Sequence, residues 1–296
     1  MEAAGALDVA EDLKTLRVRR AAARAAGGVL DLVMPMRIGG DDPPLFCAHP
    51  LVGLSWCYTA LLPHLQGGYP LYGLQARGLR RPEPVPASMQ EMARDYADQI
   101  RLTQPTGPYH LLGMSLGGTI AFAVAEELQR RGEPIGLLII LDASLDNLDE
   151  IEVDPWMVCN LILAQFGYVP AVTQADPDPL ARLLQAVRRH PGLGLDEWPD
   201  QRLRALQRVI VNNLAVARAY QPGRVRCPML FFSATHQEPT LAEKLESWAA
   251  YVDGPIEPIE LDCGHRQMLL PEPMGKLAPA ISAAMALAAE TVKSPA

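Results

Sequence analysis

A chain of 296 residues, 49% of them hydrophobic, can bury a large core, and α/β folds reach this size as one domain. The net charge of −8, with no basic run beyond Arg17-Val18-Arg19-Arg20 and scattered arginine pairs, argues against nucleic acid or an anionic membrane as the main partner. The five cysteines are odd in number and lack C-x-x-C spacing, which points to reduced thiols. No apolar run approaches the ~18–20 residues of a membrane span and the start lacks a signal-peptide core, so a cytoplasmic protein is expected.

Residues 1–42 read as an N-terminal linker or helical extension, Ala- and Arg-rich from Asp8 to Ala26 and broken by Gly27-Gly28 and Gly39-Gly40. From residue 43 to 296 the pattern is that of one domain. Short apolar runs suited to buried parallel strands recur at Leu45–Ala48, Leu71–Leu74, Tyr109–Met114, Ile135–Leu141, Met229–Ser233 and Ile256–Leu261. Helical stretches separate most of them. Ser88 to Leu102 opens with Ser88 and Glu91 at capping-box spacing, Leu116 to Arg131 closes on Gly132, and Lys276 to Ala289 is the last helix. Strands alternating with helices predict a mostly parallel, doubly wound α/β sheet. Between Asp142 and Met229, helical patterns at Pro155–Phe166, Leu180–Arg189 and Gln201–Tyr220 replace any strand, so an inserted helical lid is expected over about residues 146–222.

Gly113-Met114-Ser115-Leu116-Gly117 is a G-x-S-x-G match, a pattern that chance supplies in roughly one such chain in twenty. Its context sharpens it. An apolar strand precedes it and a strong helix follows, which is the strand–turn–helix of the nucleophile elbow in an α/β-hydrolase fold. Ser115 is therefore the expected nucleophile, and a serine hydroxyl needs a base. His265, after the final apolar run and before the last helix, stands where the chain order Ser, acid, His puts that base. His49 is read as structural or as part of the oxyanion loop. His64, His110, His190 and His236 have no motif context.

Two positions compete for the acid. Asp142 ends a strand at the same sheet edge as Ser115, and Glu238 follows the next strand; Asp146, Asp149 and Asp262 are weaker. The oxyanion hole needs two backbone N–H groups. Leu116 supplies one at a helix N-terminus, and Leu51 is the first amide after His49 because Pro50 has none. No metal cluster, Walker loop or dinucleotide fingerprint is present, so no metal or bound cofactor is expected.

These residues resemble a known family. Pro44 to Gly53 (PLFCAHPLVG), Gly73 to Gly78 (GLQARG), Gly107 to Gly118 (GPYHLLGMSLGG), Leu141-Asp142 and Gly264 to Leu269 (GHRQML) are similar to the type I thioesterase domains of nonribosomal peptide synthetases and polyketide synthases. The acid position of that family lies 27 residues after the nucleophile, as Asp142 does, which favours Asp142 over Glu238. The resemblance implies a peptidyl or depsipeptidyl thioester, delivered on the 4′-phosphopantetheine arm of an adjacent peptidyl carrier domain. It implies release by macrocyclisation or hydrolysis, in a monomeric module excised from a longer chain. A free-standing editing (type II) thioesterase, a small-ester hydrolase and a catalytically dead carrier-binding fold are the other readings.

Overall fold

The computed structural model describes residues 30–145, 154–166, 168, 171–191, 195–236 and 239–293. Seven strands form one sheet: β1 (Val33–Arg37), β2 (Leu45–Ala48), β3 (Leu71–Leu74), β4 (Tyr109–Met114), β5 (Ile135–Leu141), β6 (Met229–Ala234) and β7 (Ile256–Leu261). The spatial order is β1-β3-β2-β4-β5-β6-β7. Every pairing is parallel except β1 with β3. The central strands are continuous apolar runs because both faces are covered. β5, Ile-Gly-Leu-Leu-Ile-Ile-Leu, is buried at all seven positions.

β1 lies inside the segment read as a linker. It contains Pro35 and pairs on one side only, with a register shift between Pro35 and Arg37. An edge strand tolerates proline, and a short strand interrupted by one carries little period-two signal. Arg37 fastens it by donating to the carbonyls of Tyr69, at 2.8 Å, and Leu65, at 3.2 Å.

One face of the sheet is covered by α1 (Met89–Thr103), α2 (Leu116–Arg130) and α6 (Leu241–Ala249), through Tyr96, Ile100, Ile120, Phe122 and Trp248. The short 3-10 turn Trp56–Leu61 and the last helix, α7 (Pro271–Lys293), cover the other through Tyr58, Leu61, Leu277 and Ile281. α1 starts at Ser88, whose Oγ accepts from the Glu91 N–H at 3.1 Å. The Glu91 carboxylate reaches the Ala87 N–H rather than that of Ser88. α7 begins five residues before Lys276, where the sequence reading starts it. Pro271 and Pro273 look like breakers but sit in the first turn, where an amide proton has no partner to lose.

Three helices fill the insertion: α3 (Pro155–Gln165), α4 (Pro179–Arg189) and α5 (Asp200–Arg218). They carry a core of their own, with Val158, Ile162, Leu183, Leu206 and Ile210, that continues into Val52 and Leu54 of the loop after β2. No helix among the described residues is long and apolar enough to cross a membrane.

Candidate active site

The chain leaves β2 toward β3 on one side and, from β4 onward, winds toward β7 on the other. In an open α/β sheet the crevice at such a switch point, beyond the carboxyl ends of the strands, is where ligands bind. Ser115 and the loop holding Leu51 stand there, after β4 and β2.

The β4–α2 turn is tight for identifiable reasons. Ser115 adopts φ 54°, ψ −129°, a backbone state that L-residues rarely populate, and its side chain makes no capping bond to α2. A plain N-cap serine would do the opposite on both counts. The Ser115 N–H donates to the Leu141 carbonyl at 2.9 Å, and its own carbonyl accepts from the Gly118 N–H at 2.8 Å. Glycine is required beside it: a Cβ on Gly113 would lie 1.9 Å from the Gly117 carbonyl oxygen, and one on Gly117 would lie 2.6 Å from that of Ala48. The second approach presses the start of α2 onto the end of β2. Tyr58 ties the ends of β2 and β4 together, because its hydroxyl donates to the Ala48 carbonyl at 2.8 Å and accepts from the Met114 N–H at 2.9 Å.

β4 and β5 run in register to Met114 opposite Leu141, so Asp142 emerges beside Ser115. Asp142 also has positive φ, at 48°, and is 4% exposed. His265 opens the short 3-10 turn His265–Leu269 after β7 and stays partly exposed. Its Nδ1 donates to Asp142 Oδ2 at 2.6 Å. A carboxylate only accepts, so the proton sits on Nδ1 and Nε2 is the basic nitrogen. Asp142 Oδ1 accepts from the Ala234 N–H at 3.1 Å and from Lys244 Nζ at 2.7 Å. Burial works to raise the Asp142 pKa, but the bonds from His265 and Lys244 outweigh it and hold the carboxyl below its usual range.

Leu116 is buried as the first residue of α2, whose leading amides have no intrahelical partner. Leu51 is half-buried in the turn after β2. The Pro50 carbonyl accepts from His49 Nδ1 at 2.8 Å and from the Gly53 N–H at 2.9 Å. In a planar trans peptide the N–H opposes the C=O, so these two bonds also fix the direction of the Leu51 N–H. His49 is fully buried, and desolvation pushes its imidazole down to about 4. The neutral ring donates through Nδ1 and accepts at Nε2 from the Tyr96 hydroxyl at 2.8 Å, which also lies 3.0 Å from the Gln75 carbonyl. A hydrogen-bonded carboxylate–imidazole pair thus stands at the sheet edge where Ser115 turns into α2.

The other sequence candidates stand apart. Asp262 is exposed and paired with His236 at 2.7 Å. His190 closes α4, and His64 lies under α7 near Gly275. Glu238, Asp146 and Asp149 lie outside the described residues, as does the Asp8–Ala26 stretch. Lys244 and the His49–Tyr96–Gln75 chain went unread in the sequence. The signal for Lys244 was its place on the apolar face of Leu241, Leu245 and Trp248. Tyr96 gave none, being 47 residues from His49.

The sheet, elbow and inserted helices define an α/β-hydrolase fold, and solved structures share it. A nonribosomal peptide synthetase of four domains aligns with a TM-score of 0.76 and 22% identity over 85% of this chain and 20% of that one. The Vlm2 thioesterase domain bound with a tetradepsipeptide aligns with a TM-score of 0.65 and 22% identity over 85% of this chain and 96% of that one. Residues 43–284 match the thioesterase domain family, and the chain belongs to it. A dimodular nonribosomal peptide synthase of Bacillus subtilis is 40% identical over 252 residues, and malpinin synthetase of Mortierella alpina is 38% identical over 248. These alignments cover 84% and 82% of this chain but only 10% and 3% of the relatives, so the similarity is to one domain of much longer proteins.

Proposed function

We propose that this chain is the terminal thioesterase of a nonribosomal peptide synthetase, with Ser115 as nucleophile, His265 as base and Asp142 as its orienting acid. His265 Nε2 takes the Ser115 hydroxyl proton as Oγ attacks the thioester carbonyl of a chain carried on phosphopantetheine. The Leu51 and Leu116 N–H groups face the resulting oxyanion. Collapse breaks the C–S bond, the pantetheine thiolate leaves with the proton held by His265, and the chain becomes an ester of Ser115. A second nucleophile then loses its proton to His265 and attacks the ester carbonyl; the acyl C–Oγ bond breaks and Ser115 Oγ leaves with the proton held by His265. Water gives the free acid; an amine or hydroxyl of the same chain gives a ring.

The observation that carries this reading is the Asp142–His265 hydrogen bond at 2.6 Å beside an elbow serine with positive φ. The relatives, peptide synthetases of which this chain matches one domain, support a peptidyl substrate and an adjacent carrier domain. A solved thioesterase-domain relative, NocB, forms a covalent complex with a fluorophosphonate, which makes that warhead a fitting probe. On this reading the residues before β1 tether a cytoplasmic, monomeric module to its carrier, and the 146–222 insertion is a lid.

A synthetic peptidyl-pantetheine thioester should be turned over faster than acetyl-pantetheine. Faster turnover of the acetyl substrate would mark an editing enzyme instead. Among the products, a mass one water below the free acid identifies a ring.

A further inference from the structure

α6 follows β6 and starts at a capping box in which Thr240 and Glu243 satisfy each other's amides. Leu241, Lys244, Leu245 and Trp248 then share one face by helical spacing. Three of the four are apolar, and Lys244 is buried among them at 3% exposure. A buried ammonium is costly unless each of its three protons finds an acceptor. Here Nζ donates to Asp142 Oδ1 at 2.7 Å, Ser233 Oγ at 3.1 Å and the Ala234 carbonyl at 3.3 Å. The Ala234 N–H also reaches Oδ1, at 3.1 Å, so one carboxylate oxygen is held by two donors while the other meets His265.

We infer that Lys244 is a positioning residue for the proposed acyl transfer, pinning Asp142 Oδ1 so that Oδ2 stays on His265 and balancing the carboxylate's charge beside the imidazole. The inference rests on the reading of Ser115, Asp142 and His265 given above. A lone buried carboxylate favours the imidazolium, which cannot act as a base. With an ammonium against its other oxygen, the carboxylate's charge is balanced and its pull toward the charged imidazolium is weaker. Cys263 is close enough to feel the Asp142 carboxylate, with Asp262 from the loop after β7 and Glu272 and Lys276 from α7 acting on Cys263 in turn, and Glu243 and Glu246 flank Lys244 on α6. None of these replaces the charge of Lys244 on Asp142 Oδ1. The inference also accounts for a lysine at a position where an apolar side chain would pack without desolvation cost.

The test is the rate at which a fluorophosphonate labels Ser115 between pH 5 and 9, in the native chain and in Lys244→Met and Lys244→Gln, with thermal melts alongside and Ser115→Ala as control. The acid limb of the labelling profile should move up by about one pH unit in both variants, so labelling at pH 6 falls about tenfold relative to the alkaline plateau. Folded variants with an unmoved limb would overturn the inference, even if their plateau rates fell. So would a protein that folds only with a cation at 244, which would make the residue structural. A native chain that resists labelling, or a labelled Ser115→Ala, would instead remove the catalytic reading on which the inference stands.

Discussion

Asn213 of the inserted helix α5 donates its amide proton to the Leu51 carbonyl at 2.9 Å, tying the insertion to the loop proposed to hold the oxyanion. Asn213 is 2% exposed, and the same helix presses Val209 against Gly53, where a Cβ would lie 2.6 Å from the valine methyl. The position of Leu51 is therefore set on one side by α5 and on the other by the His49–Pro50 bond. Asn213→Ala should lower kcat about tenfold by loosening Leu51, and cost about 1–3 kcal/mol of stability. Asn212→Ala, which loses only a bond to the Pro86 carbonyl, is the control and should keep kcat within about twofold. Steady-state kinetics and urea melts of the two variants check both numbers.

The floor of that loop is equally testable. His49→Ala removes the donor that orients the Pro50–Leu51 peptide. Its kcat should fall about 100-fold, the scale of a lost oxyanion donor, with KM little changed. Tyr96→Phe leaves the ring of His49 in place and removes only the hydroxyl at 2.8 Å, so its loss should be about tenfold or less. Parallel kinetics on one thioester substrate would check the order; equal losses would contradict it.

Much of this site was open to reading in advance. Strands β2 to β6 announced themselves as apolar runs, because a strand covered on both faces needs no alternation. β7, Ile-Glu-Pro-Ile-Glu-Leu, reads as a buried strand but lies at the sheet edge with most of its residues exposed or half-buried. The positions of Ser115 and His265 after strands marked them as candidates, since strand ends converge in this topology, whereas position alone left Asp142 competing with Glu238 and the family spacing favoured it. β1 was not, because Pro35 and a single pairing partner erase its pattern. Lys244 was hidden for another reason: a lysine in Leu-Ala-Glu-Lys-Leu-Glu reads as solvated until the helix is known to turn that face onto Asp142. The His49–Tyr96 bond joins a loop to the middle of α1, and local sequence does not encode such a pairing.

Acid should destabilise the fold through histidines it keeps neutral. His110 on β4 is fully buried, neither ring nitrogen has a hydrogen-bond partner among the described residues, and desolvation pushes its imidazole down to about 4. The unfolded chain takes up the proton first, near its ordinary value of about 6.5. Stability from this group is thus complete above that pH and lost as pH falls toward about 4, by about 3 kcal/mol in all. His110→Leu should flatten the decline between pH 7 and pH 4.5 by about 2 kcal/mol in urea titrations. His49, also held down to about 4, contributes in the same direction and remains in the variant.

Two glycine substitutions separate space from conformation. Gly113→Ala forces a Cβ to 1.9 Å from the Gly117 carbonyl oxygen, so the elbow must open and the fold should lose more than about 3 kcal/mol. Gly132, at the end of α2, has open space around its Cβ position but φ of +82°, so Gly132→Ala should cost only about 1 kcal/mol. Thermal denaturation of the pair distinguishes the two mechanisms.

Intact-protein mass spectrometry during turnover of a synthetic peptidyl-pantetheine thioester tests the central claim most directly. The account predicts a transient adduct of the acyl mass on Ser115, absent in Ser115→Ala, accumulating at a rate that Asp142→Asn lowers by about 10³–10⁴-fold. Turnover without an adduct that persists undiminished in Ser115→Ala, or an adduct mapped to another residue, would contradict it.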